Sequence, residues 1–315
     1  MRTRARQRGV ALLLALVLMA LVTIIAYDIW FSGALEQRRS FAVLSLEQGL
    51  QYGFGGEAFA AQVLLKDSQE SQQDFPAEAW ATPLPPIPID GGQVEVGLED
   101  MQGRFNLNSL IDPSTGNANP DMVDQFRRLL EIVGLEDKWA DLLVDWLDAD
   151  VTPTFPDGGE DSLYTTQAPP YLAANGPITS TSELLALPGF GIDRYRKIQP
   201  FVAALPTDAK LNVCTASGEV LDSLGTGQRQ FSTDAKWLAK QRAGKCFPSL
   251  NDLWSSLPPA DADRLKKKNY VVDRSNYFRL TSVTTIGTAQ FTLYSLLKRD
   301  QGGLSRPILR SWGSD

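Results

Sequence analysis

Residues 1–27 read MRTRARQRGVALLLALVLMALVTIIAY, and the fold class turns on this stretch. Arg2, Arg4, Arg6 and Arg8 put four positive charges ahead of Gly9, and from Val10 to Tyr27 no charge follows until Asp28. As a helix, residues 10–26 span about 26 Å, slightly short of a hydrocarbon core of ~30 Å. Slight bilayer thinning, or Trp30 and Phe31 at the far interface, absorbs the difference. The arginines hold their end in the cytoplasm, which sends the rest of the chain across the membrane. A secretory signal peptide wants a shorter apolar core and a small-residue cleavage site, and Asp28-Ile29-Trp30-Phe31 is a poor one. A plain single-span anchor fits.

Beyond the span the helical spacing continues. Leu35, Ala42, Leu46 and Leu50 alternate with Glu36, Gln37, Ser40 and Glu47, and Phe59, Val63 and Leu64 restore an apolar face up to Lys66. One helix over residues 10–66 would measure about 85 Å. Gly49, Gly53, Gly55 and Gly56 loosen it and leave its continuity open. A connector over residues 68–90 holds Pro76, Pro83, Pro85, Pro86 and Pro88, which bar helix from its second half.

Residues 93–98 and 103–108 then read as two strands joined by a turn at 99–103. Helices follow at 121–133 and 137–147, a third opens at the capping box Ser180-Thr181-Ser182-Glu183, and more lie near 215–224, 233–240, 250–256 and 259–268. Strands return at 277–285, 290–299 and 305–312, separated by Gly287 and by Gly302-Gly303. The simplest assembly is α+β. A long N-terminal helix packs on one antiparallel sheet, built from segments 93–108 and 277–313, and an all-helical insertion lies between them.

The chain carries 30 basic and 37 acidic residues; without the leader's four arginines, 26 basic residues face the same 37 acids. That balance disfavours nucleic acid or anionic lipid as partners of the exported part. There is no histidine, so Ser/His/Asp and Cys/His catalytic sets and the usual Cys/His zinc sites are absent. Cys214 and Cys246 read as a disulfide in an oxidising compartment, worth about 3–4 kcal/mol in the chain-entropy account; two buried thiols are the alternative.

The richest chemical signal is acidic. Asp145, Asp148, Asp150, Asp157, Glu160 and Asp161 repel one another unless they are solvated, protonated or bridged by a cation. On a helix end and a Pro/Gly loop they suit calcium, which takes six to eight oxygens in irregular geometry, although the EF-hand spacing is missing. A solvated acidic loop is the plain alternative, and a glycosidase-like carboxylate pair has no cleft to work in. Leu187-Pro188-Gly189-Phe190-Gly191 has the form of a helix-hairpin-helix turn, which would suit a DNA-binding uptake protein. Its flank carries only Arg194, Arg196 and Lys197, as an ordinary tight turn between helices would.

The leader resembles the class III leaders of type IV pilins and pseudopilins. That likeness implies cleavage between Gly9 and Val10 by prepilin peptidase, with methylation of the new terminus. Most such subunits carry a glutamate at the fifth mature position; here it is Leu14, a feature of the K-type minor pseudopilins of type II secretion. Segments 103–108 (GRFNLN), 145–150 (DWLDAD), 170–177 (PYLAANGP) and 211–216 (LNVCTA) resemble the same family in the same order.

The resemblance implies a prepilin leader at 1–9, a transmembrane helix at 10–27 and its continuation at 28–66. It implies a pseudopilin α/β domain from 67–111 and 274–315, and a helical insertion domain at 112–273. A single-pass inner-membrane protein follows, with a cytoplasmic N-terminus and a periplasmic C-terminal domain. Calcium would be held within Asp148, Asp150, Asp157, Glu160 and Asp161. The partners implied are the I-type and J-type minor pseudopilins and the major pseudopilin, with no enzyme activity and no nucleic acid. The expected role is a tip subunit that initiates pseudopilus assembly and helps export folded proteins across the outer membrane. Lacking the glutamate that pairs with a neighbour's terminal amine, such a subunit suits the tip. A pilin-like or membrane-anchored DNA-binding protein is the other reading.

Overall fold

A computed structural model describes residues 8–313 of the chain; residues 1–7, with Arg2, Arg4 and Arg6, and residues 314–315 lie outside the described residues. Helix α1 runs unbroken over Arg8–Glu70, 63 residues or about 95 Å. Residues 10–33 are exposed throughout, and this is the one helix among the described residues long and apolar enough to cross a membrane.

The glycines do not interrupt α1; they let a sheet close on it. A Cβ at Gly49 would stand 2.4 Å from the Phe291 ring, one at Gly56 2.4 Å from Ser282 Oγ, and one at Gly53 3.1 Å from the Trp312 ring. Gly55, on the open side, meets nothing. Backbone proximity and packing thus outweigh the low helix propensity of these residues.

The sheet has five antiparallel strands in the order β1 (Ile87–Ile89), β2 (Gly92–Asp100), β7 (Tyr277–Ile286), β8 (Ala289–Arg299) and β9 (Ser305–Trp312). Strand β7 alternates buried and half-buried residues, as one face against a helix requires. Val94, Val96, Phe278, Leu280 and Leu297 meet Ala60 and Leu64 of α1, with Trp80 closing the edge. Positive φ at Gly287 and Gly303 serves the turns after β7 and β8.

Between β2 and β7 lie β3 (Phe105–Asn106), α2 (Pro120–Ile132), α3 (Lys138–Leu147), α4 (Asp161–Tyr164), α5 (Gly191–Ile198), β4 (Val202–Ala203), β5 (Leu211–Asn212), α6 (Gly218–Asp222), α7 (Ala235–Gln241), α8 (Leu250–Ser256), α9 (Pro259–Lys268) and β6 (Val271–Val272). One apolar core, reaching from Phe105 to Val271, serves them all. Two expectations are corrected here. Segment 103–108 does not form a hairpin with β2: after Asp100 the chain makes a 3-10 turn over Met101–Gly103, and β3 pairs in parallel with β4. The reason is side-chain chemistry, because Asn106 Oδ1 accepts from Leu205 N at 3.0 Å, and Asn108 Nδ2 donates to the carbonyls of Ile178 and Leu205, both at 2.9 Å. The Ser180–Glu183 capping box exists, but it opens a 3-10 segment, Thr181–Ala186, rather than an α-helix.

A buried polar knot joins the insertion to the sheet. Arg299, 1 % exposed, bridges Asp67 of α1 and Asp74, and Asn212 Nδ2 donates to Asp74 O (3.0 Å), Asp100 Oδ2 (3.0 Å) and Ser275 Oγ (2.9 Å). Burial raises the Asp100 carboxyl to about 6. The Asp67 carboxyl is also raised, by burial first and then by its acidic neighbours Glu78 and Asp74. Because Arg299 meets the last turns of α1, and Glu57 pairs with Arg310 further back, the insertion is attached at the end of the sheet farthest from the apolar span.

Candidate metal centre

Helix α3 is an amphipathic core helix with Trp139, Leu143 and Leu147 inside, and its last turn carries Asp145, followed by Asp148 at the C-cap. A helix C-terminus is the negative end of the peptide dipoles, so two carboxylates there are unfavourable unless a cation or protons offset them. The chain then makes a tight turn. Thr154 N donates to both carboxylate oxygens of Asp145 at 3.0 Å, and Gly158 N donates to Thr154 O at 2.7 Å. Gly158 is required, since a Cβ would lie 2.2 Å from Asp145 Oδ2. This turn returns the chain so that Glu160 faces Asp148 and Asp150.

Carboxylate oxygens of Asp148, Asp150 and Glu160 all lie within 4.8 Å of one another. Asp148 and Glu160 are buried and Asp150 is exposed, so the group opens to solvent on one side. Both Glu160 oxygens and Asp148 Oδ1 are buried with no hydrogen-bond partner. Burial, then repulsion from Asp145, Asp148 and Asp150, pushes the Glu160 carboxyl up to about 7. Burial, then Asp150 and Asp145, pushes Asp148 to about 6. Three convergent carboxylates with orphaned buried oxygens at a helix C-terminus have the chemistry of a hard-cation site.

The other sequence candidates fall elsewhere. Asp157 is exposed at the tip of the turn and outside this group. Asp161 begins α4, and its Oδ1 accepts from Ala173 N at 3.0 Å. Asp145, part of the acidic run but not among the expected ligands, is the residue that shapes the loop; its two-oxygen contact with Thr154 N is a tertiary fact that spacing does not reveal. Val10 and Gly9 lie in the first turns of α1. Cys214 and Cys246 form a disulfide with Cα atoms 4.7 Å apart.

The Gly189-Phe190-Gly191 turn is a packing device. Phe190 meets Trp139 edge-on at 5.0 Å between centroids, and Arg194 is engaged with Glu136 (3.0 and 2.7 Å) and stacked over Trp139. The arginine nearest the turn is therefore committed within the fold.

Comparison with known proteins agrees with this architecture. The family model described as type II secretion system (T2SS), protein K, matches residues 103–207. Type II secretion system protein K of Pseudomonas aeruginosa is 37% identical over 324 residues, covering 98% of this chain and 94% of the relative. The protein K of Pectobacterium carotovorum is 32% identical, covering 93% of each. Among solved structures, a chain of the GspK-GspI-GspJ complex from the enterotoxigenic Escherichia coli type 2 secretion system superposes with a TM-score of 0.74 at 27% identity, covering 88% of this chain and 100% of that one. The chain belongs to the type II secretion system protein K family.

Proposed function

We propose that this chain is the minor pseudopilin at the tip of a type II secretion pseudopilus. There it joins I-type and J-type minor pseudopilins, initiates assembly above the major pseudopilin, and helps export folded proteins across the outer membrane. Its role is structural rather than catalytic. The observation that carries this reading is the place of the insertion: it is attached at the end of the fold opposite the apolar span, where a further pilin-like subunit would otherwise stack. Leu14, in place of a pairing glutamate, agrees with a subunit that has no neighbour above.

In this reading prepilin peptidase cuts between Gly9 and Val10, and α1 is anchored in the inner membrane with the remaining domains in the periplasm. Calcium is held by Asp148, Asp150 and Glu160, and its charge offsets the carboxylates that crowd the end of α3. The chain's own residues supply the cage: Asp145 fixes the turn, and the apolar face of α3 fixes Asp148.

The first test is co-expression of the full chain with I-type and J-type subunits. A stable three-chain complex whose K-type member begins at Val10 only when prepilin peptidase is active is the expected outcome. A chain that keeps its leader and binds neither subunit would refute the assignment.

A further inference from the structure

A second group of carboxylates, built from none of the acidic-loop residues, lies where α1, the connector and the sheet meet. One oxygen from each of Asp67, Asp74 and Glu78 lies within 4.8 Å of the other two. Asp67 belongs to the last turns of α1, and Asp74 and Glu78 to the connector that follows. Each carboxylate is pinned through one oxygen. Asp74 Oδ2 accepts from Ser275 N at 2.7 Å and from Arg299. Glu78 Oε2 accepts from Phe75 N and Trp80 Nε1, both at 2.9 Å, and Asp67 Oδ2 accepts from Arg299 Nη1 at 3.3 Å. Asp74 is 1% exposed, yet its other oxygen, Oδ1, is buried with no hydrogen-bond partner. Bonds that hold one carboxylate oxygen and leave the other open are how supporting groups orient a metal ligand.

Arg299 does not balance the group. Its guanidinium meets Asp67 and Asp74, donates to Ser275 O and stacks over Phe278, so one positive charge serves three carboxylates. The remaining charge of two is what one divalent ion cancels. The neighbouring acids have other partners. Asp100 accepts from Gln102 N through Oδ1, and from Asn212, Thr215 and Ser275 through Oδ2. Asp273 accepts from Gln73 Nε2 at 2.8 Å. Repulsion from Glu78 and Asp74, which adds to burial in raising the Asp67 carboxyl, would be relieved by the same ion.

We propose that Asp67, Asp74 and Glu78 hold a hard divalent cation, calcium or magnesium, that clamps the connector to the end of α1. Each pinned carboxylate gives the ion one oxygen, and water fills the remaining positions, as both ions accept. Ser275, on the chain leaving the insertion, and Arg299, at the end of β8, hold the same carboxylates from the other side. The ion therefore stiffens the joint that carries the insertion. This site stands apart from the acidic-loop reading and from the tip role, and needs neither.

The test uses the full chain in detergent micelles with Glu160→Gln, which disables the acidic-loop group. Terbium serves as a luminescent stand-in for calcium, since Trp80 is bonded to Glu78 and its indole can sensitise an ion held there. The expected result is tryptophan-excited terbium emission that calcium or magnesium displaces, with a matching rise in melting temperature in either ion. Adding Glu78→Gln should weaken terbium binding about tenfold or more and abolish the melting response. Adding Trp80→Phe instead should dim the emission. Should Glu78→Gln fail to fold, Asp67→Asn carries the same prediction, because Asp74 keeps Arg299 and Ser275.

Emission and melting that ignore both Glu78→Gln and Asp67→Asn would place the ion elsewhere and overturn the proposal. No cation response in the Glu160→Gln chain, with one present in the parent chain, would overturn it while leaving the acidic-loop site standing. A chain that is stabilised by acid but by neither cation would show that protons, not a metal, offset these carboxylates, and would also refute it.

Discussion

At the scale of single residues, Glu160 and Asn212 show how burial decides what a polar side chain is for. Glu160 has two unpartnered buried oxygens and a carboxyl raised to about 7 from an ordinary 4.5. A carboxyl raised on folding binds its proton more tightly in the native state. Between about pH 4 and about pH 7 the native state therefore holds the extra proton, and stability falls as pH rises through that window. In chelator, the melting temperature should decline over this range, and Glu160→Gln should flatten the decline and raise the melting temperature near neutral pH. In calcium the same variant should melt below the wild type, because it has lost a ligand. A Gln variant that leaves both curves unchanged would show that Glu160 neither titrates nor binds. Asn212 is the opposite case, with its amide fully used. Asn212→Ala removes the two amide N–H groups shared among Asp74 O, Asp100 Oδ2 and Ser275 Oγ, and the oxygen that accepts from Cys214 N, and leaves Asp100 short of a partner, so chemical denaturation should show a loss of about 2–3 kcal/mol.

At the scale of elements, the glycines of α1 separate propensity from packing. Gly55 and Gly56 are adjacent, yet only Gly56 faces the sheet. Gly55→Ala should stabilise by roughly 0.5–1 kcal/mol through helix propensity, since nothing lies within 4 Å of the added atom. Gly56→Ala should destabilise by about 1–3 kcal/mol, because its Cβ would lie 2.4 Å from Ser282 Oγ and 3.2 Å from Val96 Cγ2. Opposite signs in denaturant midpoints would confirm one continuous helix seated on the sheet. Equal stabilisation of both variants would mean that α1 and the sheet are less closely docked. The sequence pattern located α1 and the strands well, because helical spacing and period-two alternation are local. It misplaced 103–108 because the partners of Asn106 and Asn108, at Leu205 and Ile178, are far along the chain.

At the scale of the whole molecule, the insertion is a second cored unit, joined to the sheet through the polar knot and through the apolar cluster of Met101, Leu205 and Tyr277, and stapled by one disulfide. The Cys214–Cys246 bond closes a long loop beside Arg242, whose guanidinium donates to Val213 O and Ala216 O, and whose Nε donates to Phe247 O. Replacing both cysteines by serine should cost about 2–5 kcal/mol, read as an earlier unfolding transition of the insertion. The transition of the helix–sheet unit should move little, since neither cysteine packs against α1; a single shared shift would instead show that the two units unfold together.

The apolar run after Gly9, the alternation of the late strands, the paired cysteines and the acidic run between Asp145 and Asp161 were all legible in the sequence. Each is a matter of composition or short-range periodicity, which the chain carries before it folds. Only the tertiary structure decided that Asp148, Asp150 and Glu160 converge while Asp157 stays outside, that the α1 glycines are contact points, and that Asn212 links three segments. Those outcomes depend on which distant backbone groups satisfy buried polar atoms, and a linear pattern does not record that choice.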